Sequence, residues 1–195
     1  ITTVYITTES GSMDAVHADK SYKEAGTIRI YNEKGKTEYD GALDYIKGRG
    51  NSSWEMAKKP YNIKIAKKTN LFGMGKSKKW SLIANYSDNS HLRNAAVYYA
   101  AQQIGLDYTP KFVFCDVYTN GDYQGVYLLI TRIEADSKRV DVANLDDVNE
   151  EIAIAASGNE DLDMDSLPQG GAYGRFAGLI EGTKKWVEIP EAPEG

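Results

Sequence analysis

The sequence feature that most constrains this fold is a two-residue turn, Asn120-Gly121, between two strand-like segments. The segments Phe112–Thr119 and Asp122–Arg132 flank the turn directly. Both turn residues tolerate the positive φ angles of a type I′ turn, which joins two antiparallel strands tightly. The sequence therefore predicts a β-hairpin, and with it at least one antiparallel pair of strands.

Other short segments alternate apolar and polar residues, which is typical of strands with one buried face. A capping sequence, Ser87–Ser90, then precedes a segment with apolar residues at roughly helical spacing, and Gly105 closes this segment. We therefore predict an α+β fold, a mostly antiparallel twisted sheet with one main helix. The further predicted strands are Thr3–Thr7, Thr27–Tyr31, Leu43–Lys47, Tyr61–Ile65 and Trp80–Ala84.

Charge divides the chain at about residue 134. Residues 1–134 hold 18 Lys+Arg and 14 Asp+Glu, a net charge of +4, whereas residues 135–195 hold 5 and 14, a net charge of −9. We predict a main region at 1–134 and an acidic continuation of the same domain at 135–195, which ends in a Pro/Glu linker. The single cysteine, Cys115, is predicted to be a small buried hydrophobic residue. No apolar run approaches the roughly 18 residues of a membrane span.

The segment from Lys47 to Lys79 holds ten basic residues and one acid, Glu55. Such a field suits phosphates or an acidic partner, and it is equally consistent with a solvated face. Within it lies the loop Gly48–Ser53, in which Arg49, Gly50 and Ser52 could hold an anion through backbone N–H groups and a guanidinium. An ordinary capped turn remains the alternative reading of this loop.

Two lysines and two aspartates are further candidates. Lys59 precedes a predicted strand, and Lys64 lies in the middle of it, opposite the apolar face, where a lysine could hold nucleotide phosphates or simply face solvent. Asp88 is either a catalytic carboxylate or a helix cap. Asp116 shares a strand face with aromatic residues, lies opposite Gly125 if the hairpin is regular, and is either a ligand contact or a buried partner of a lysine.

Ordered sequence blocks across the middle of the chain resemble the CotH-type (spore coat protein H) secreted kinase family. The first is Ile46–Trp54, with its Gly-Arg-Gly-Asn-Ser-Ser loop, and the second is Lys58–Lys64. The remaining blocks follow in the family's order: Leu71–Met74, Trp80–Tyr86, Asp88–Asn94, Gly105–Pro110 and Tyr118–Leu129. The resemblance covers about Ile46 to Glu134.

This resemblance implies an atypical protein-kinase-like fold, present only in its N-terminal half. It implies a bacterial extracellular or cell-surface kinase that uses ATP and Mg²⁺ to phosphorylate Ser or Thr of secreted or surface proteins, with no nucleic acid among its partners. Arg49 and Lys64 would contact the nucleotide phosphates. The strand end at Ile130–Glu134 would approach the adenine, which makes Glu134 a candidate contact.

The chain departs from the family at its catalytic motif. The family's acidic block, Trp-Asp-x-Asp, has no counterpart, because none of Trp54, Trp80 and Trp186 is followed by Asp. Whether the chain is an enzyme therefore stays open, Asp88 and Asp116 are fallback catalytic candidates, and no metal ligand is assigned. The alternative function is a non-catalytic binding module of a bacterial cell-surface or cellulosomal assembly.

Overall fold

A computed structural model describes residues 1–136, 139–140, 177–179 and 186–188 of the chain. In chain order the elements are β1 (Thr2–Thr8), α1 (Asp14–Ala18), β2 (Glu24–Tyr31), β3 (Thr37–Gly48), β4 (Tyr61–Asn70), β5 (Lys76–Ile83), α2 (Arg93–Gln103), β6 (Phe112–Thr119), β7 (Asp122–Thr131), β8 (Ala177–Leu179) and β9 (Trp186–Glu188). Short 3₁₀ turns lie at Ser52–Trp54 and Leu71–Gly73.

The first seven strands form a closed barrel in the order β1-β2-β3-β4-β5-β7-β6. All neighbours are antiparallel except β1 and β6, whose parallel pairing aligns Thr3 with Asp116 and closes the barrel. The predicted α+β, kinase-like fold with one main helix is therefore wrong. The closing pair joins residues more than a hundred positions apart, which alternation within single segments cannot reveal.

Alternate residues of each strand fill the barrel, as the period of two requires. In β4 the inward residues are Tyr61, Ile63 and Ile65, as the sequence predicted, while Asn62 and Lys64 point outward. Cys115 is completely buried in the same core, which confirms its predicted role, and burial raises the pKa of its thiol to about 12. The largest fully buried side chains are Trp80, Tyr61, Tyr127, Ile6, Ile28, Ile30, Leu43, Ile46, Ile63, Ile65, Leu71 and Leu82.

The predicted hairpin is confirmed at its turn, where φ is +52° at Asn120 and +94° at Gly121. Further from the turn the predicted register is wrong, because a β-bulge shifts the pairing and Asp116 lies opposite Val126. The bulge falls at Gly125, whose φ of +91° suits glycine.

Helix α2 packs on the outside of the barrel, where Ala95 and Tyr98 cover a small cluster on β6 and β7. The helix ends at Gln103, and Gly105, the predicted closing residue, follows it with a φ of +71°. However, the apolar residues at helical spacing do not form a buried stripe, since Tyr99 is 60% and Ile104 is 80% exposed. The helix is therefore held mainly through one side and through its N-terminal contacts.

The chain divides into a unit of residues 1–142, which holds the barrel, and a unit of residues 143–195. In the second unit the described residues form one antiparallel pair, β8 with β9. Most of the predicted acidic continuation lies outside the described residues. Within the described part of the chain, no helix is long and apolar enough to cross a membrane.

Candidate functional site

The candidate site lies on the outer face of the barrel, on strands β3, β4, β5 and β7. The strand register sets Lys47, Asn62 and Ser81 side by side on three neighbouring strands. The Ser81 hydroxyl donates to the Asn62 amide oxygen over 2.6 Å, and Ser81 is only 3% exposed. This polar pair forms the floor of the site.

Basic side chains surround this floor, and we call Lys47, Arg49, Lys64, Lys79 and Arg132 the basic face. Lys64 and Lys79 are register partners on β4 and β5. Thr131 pairs with Trp80 in the antiparallel register of β5 and β7. Arg132, the next residue, therefore lies beside Lys79. Successive strands thus bring to one surface five cations that are spread over more than eighty residues of sequence.

Arg49 is half-buried next to helix α2. Burial lowers the pKa of its guanidinium, the Tyr98 phenol acts in the opposite direction, and the positive charge of Arg132 lowers the pKa further. Among the described residues, neither arginine side chain has an ion pair or a hydrogen bond. Two guanidinium groups on one face, with no acceptor among the described residues, are an arrangement that favours an added anion.

The two lysines of the basic face have carboxylate partners. The ammonium of Lys64 lies 3.0 Å from the Asp44 carboxylate, and that of Lys79 lies 2.8 Å from Glu134. Glu134, a predicted nucleotide contact, also accepts the Ser77 hydroxyl over 3.4 Å. These ion pairs hold both ammonium groups in place, so Lys64 is less available to an anion than Arg49.

The glycine-rich loop is a compact turn at the edge of this face. Gly50 has a φ of +85°, and a Cβ there would collide with the Ser53 hydroxyl. Its carbonyl accepts the Lys20 ammonium over 2.9 Å. Ser52 is exposed and begins the 3₁₀ turn. The loop backbone is thus fixed by its own contacts and holds Arg49 in position.

Lys59 does not join the basic face. Its ammonium donates to the Trp54 carbonyl over 2.6 Å and lies 5.1 Å from the centre of the Trp54 ring. Its neighbour Lys58 donates to the Val126 carbonyl and lies 4.4 Å from the centre of the Tyr127 ring. Lys58 therefore attaches the loop after β3 to strand β7, and Lys59 fixes the loop on its own buried Trp54, so both lysines have a structural role.

Asp88 lies at the N-terminus of helix α2. Its carboxylate accepts the Arg93 backbone N–H over 2.8 Å and the Ser90 hydroxyl over 2.6 Å. These contacts correspond to the helix-capping alternative. The hydrogen bond from the Ser90 side chain is the largest cause, followed by that from the Arg93 backbone, of the lowered pKa of Asp88.

Replacing Asp88 by alanine is expected to lower the thermal unfolding midpoint, because the first turn of α2 loses an acceptor. Asp88→Asn should be intermediate, since only one acceptor oxygen remains. The folded-state pKa is lowered, so the carboxylate stabilises the fold above about pH 3.8 and loses this effect in more acidic solution. Circular dichroism melts between pH 2 and 7 check both points, and equal midpoints for wild type and Asp88→Ala would contradict them.

Asp116 lies on β6, on a different part of the barrel surface. Its carboxylate accepts the Tyr123 hydroxyl over 2.7 Å. Next to it, Tyr5 and Tyr118 stack with ring centroids 4.9 Å apart, and Tyr118 contacts Tyr123 at 5.1 Å. The structure thus separates Asp116 from Arg49 and Lys64, and it gives Asp116 a tyrosine partner in place of the lysine considered above.

Three residues of the basic face, Lys47, Lys79 and Arg132, were not predicted as site residues from the sequence. The available signal was strand alternation, because all three belong to the outward series of their strands. In the described part of the chain, no group of three His, Cys, Asp or Glu side chains is arranged to hold a metal ion. The described residues therefore fit a phosphate better than they fit Mg²⁺.

The fold and the site together define a small β-barrel domain that presents unpaired guanidinium groups on one face. The family model described as CotH kinase protein matches residues 46–172, more than half of the 195-residue chain. The chain therefore belongs to the CotH kinase family, and the resemblance predicted from its sequence blocks is confirmed. No curated protein matches the chain.

Proposed function

We propose that the basic face binds the phosphates of a nucleotide, ATP in the first instance, within a protein that phosphorylates Ser or Thr of secreted or surface proteins. The observation that carries this proposal is the half-buried Arg49 on the same face as Arg132, with no acceptor for either guanidinium among the described residues. Membership of the CotH kinase family supports the choice of a nucleotide over other anions.

The energetic argument concerns the partly desolvated charge of Arg49. A buried polar group without a hydrogen-bond partner costs free energy, and a charged group costs more. A phosphate oxygen would supply the missing acceptor, and a guanidinium can bind phosphate through two parallel hydrogen bonds. Lys47 lies on the same face, where its ammonium could contact a further phosphate oxygen, whereas the Ser81 hydroxyl already donates to Asn62.

In phosphoryl transfer the protein mainly positions the phosphates and neutralises their charge. Arg49 and Arg132 suit the second task, while Lys64 and Lys79 are already fixed by Asp44 and Glu134. Since the described residues show no metal cluster, we derive no step through Mg²⁺. Asp88 and Asp116 have structural partners, so the proposal assigns neither of them to the proton transfer.

A second function, a non-catalytic binding module of an extracellular bacterial assembly, is favoured by the tyrosines around Asp116. Tyr5 is 38% and Tyr123 is 54% exposed on this surface. Tyrosine is enriched at protein interfaces because its ring is large and its hydroxyl is polar. This function would need no nucleotide, and the two candidates are therefore separable by binding measurements.

Arg49→Ala is expected to weaken ATP binding at least tenfold, because a charge-assisted contact to phosphate is lost. Arg132→Ala should have a similar effect. Titration calorimetry on the full chain, with and without Mg²⁺, measures both. Arg29→Ala is the matched control, since this guanidinium lies over the Tyr5 ring on another surface.

Tripolyphosphate should compete with ATP, whereas adenosine should not. An equal loss of affinity in Arg29→Ala, or competition by adenosine alone, would contradict a phosphate site at Arg49. If the wild-type chain binds neither ATP nor tripolyphosphate, the nucleotide proposal fails and the binding-module function takes precedence.

A further inference from the structure

A second charged surface lies at one end of the barrel and is formed by two neighbouring turns. One turn joins β2 to β3 and the other joins β4 to β5. The Glu38 carboxylate links them, because it accepts the Phe72 backbone N–H over 3.2 Å. Six exposed lysines surround these turns, and we call them the lysine face: Lys34, Lys36, Lys67, Lys68, Lys76 and Lys78.

These lysines have little counter-charge. Lys68 lies 3.6 Å from the Asp136 carboxylate, and among the described residues none of the other five forms an ion pair. Besides Asp136, the acids at this end are Glu33, Glu38, Asp40 and Glu134. Glu38 already accepts the Asn32 amide over 3.1 Å, and Glu134 is paired with Lys79. The lysine face is therefore a local positive field on a chain whose net charge is −5.

The arrangement of the lysines is regular along β5. Lys76 and Lys78 are exposed, and Ser77 between them is buried, so both ammonium groups project from the same face. Two residues along a strand correspond to about 6.6 Å. An extended peptide with an acidic residue at every second position repeats at the same distance. The spacing of the lysines thus matches alternating carboxylates in a partner strand.

The composition of the lysine face favours an acidic polypeptide over a nucleic acid. Neither turn itself contains an arginine, which is the preferred residue for bidentate phosphate contacts. The nearby arginines have other contacts, since Arg29 lies over the Tyr5 ring and Arg139 donates to the Met74 carbonyl. No large hydrophobic side chain is prominently exposed there, although single-stranded nucleic acids are usually bound through stacking on aromatic rings. Lysine ammonium groups, as flexible point charges, suit separate carboxylates.

We propose that the lysine face binds an extended acidic segment of a partner protein, with carboxylates at alternate positions. The site is distinct from the basic face, and the proposal does not depend on nucleotide binding. It assigns to the domain a protein-docking surface on its two turns. The partner is defined only by its chemistry, namely closely spaced Asp or Glu residues in an extended conformation.

The test uses a fluorescent peptide of alternating Glu and Ser and measures its anisotropy with the full chain. Lys76→Gln/Lys78→Gln is expected to weaken binding about fivefold, because two ion pairs are lost. The control variant, Lys23→Gln/Arg93→Gln, has the same net charge, and its two exposed side chains lie elsewhere, Lys23 over the Tyr45 ring and Arg93 beside Asp88. It should retain most of the affinity. Binding should also weaken with added salt.

Three results would overturn the proposal. They are no binding of the Glu-Ser peptide at low salt, an equal loss in the control variant, and tighter binding of an oligothymidine of equal length. A peptide of alternating Gln and Ser should not bind. ATP affinity should be unchanged in Lys76→Gln/Lys78→Gln, so that failure of this proposal and failure of the nucleotide proposal remain distinguishable.

Discussion

Replacing Trp80 by alanine is expected to lower the free energy of unfolding by about 3–5 kcal/mol. Trp80 lies on β5, is completely buried, and is among the largest side chains in the barrel core. Its strand neighbours are Ile63 on one side and Thr131 on the other. Truncation removes the transfer free energy of the indole and leaves a cavity that a closed barrel cannot readily collapse.

This loss is large compared with the total stability of a typical domain, which is about 5–15 kcal/mol. The loss would therefore consume a large part of the stability of the barrel. Urea unfolding monitored by circular dichroism measures it, and the midpoint should fall while the slope of the transition stays the same. Destabilisation below about 1 kcal/mol would show that Trp80 does not fill the core as described.

Trp80→Phe is the matched control. Among the described residues the indole N–H has no hydrogen-bond partner, whereas phenylalanine has no polar atom to leave unsatisfied. The Arg139 guanidinium lies 4.9 Å from the centre of the Trp80 ring, and a phenyl ring would preserve part of that contact. We therefore expect Trp80→Phe to cost much less than Trp80→Ala, because most of the volume is retained.

The elements with local signals could be predicted from the sequence. The Asn120-Gly121 turn and the inward face of β4 follow from residue types and alternation. The end of α2 just before Gly105 has an equally local cause, since glycine adopts the left-handed conformation readily. Each of these features is determined by a segment of about ten residues, so the local sequence is sufficient to predict it.

Features that depend on distant contacts could not be predicted. The pairing of Thr3 with Asp116 decides between an open sheet and a closed barrel, and no local pattern encodes it. The bulge at Gly125 was missed because the glycine could equally have been read as part of a regular strand. Lys64 shows the same limit, since its ion pair with Asp44 depends on the register of β3 and β4.

The cationic segment Lys47–Lys79 shows how folding changes the meaning of a charge cluster. In the sequence its ten basic residues form one positively charged segment with a single acidic residue, Glu55. The fold separates them into the basic face, the lysine face, and two lysines that fix the loop after β3. Phosphates and acidic partners were the two ligands that the sequence suggested for this segment, and we propose a different surface for each.

Replacing Gly26 by alanine is expected to lower the free energy of unfolding by about 2–3 kcal/mol, although only one methyl group is added. A Cβ at Gly26 would collide with the carbonyl oxygen of Thr7 and lie 3.0 Å from the Cα of Thr8. These are backbone atoms of β1, so no side-chain rotation relieves the overlap. Strand β1 must move away from β2, to which it pairs along its length.

The displacement matters because β1 also forms the parallel pair with β6 that closes the barrel. Gly35→Ala is the matched control, since the same methyl group there has open space and meets only the cost of a φ of +75°. We expect that control to lose about 1 kcal/mol. The backbone amides of β1 and β6 should exchange faster in Gly26→Ala than in wild type, and their exchange rates should be unchanged in Gly35→Ala. If both variants lose the same stability and β1 stays protected, the close approach of β1 to Gly26 does not constrain the barrel.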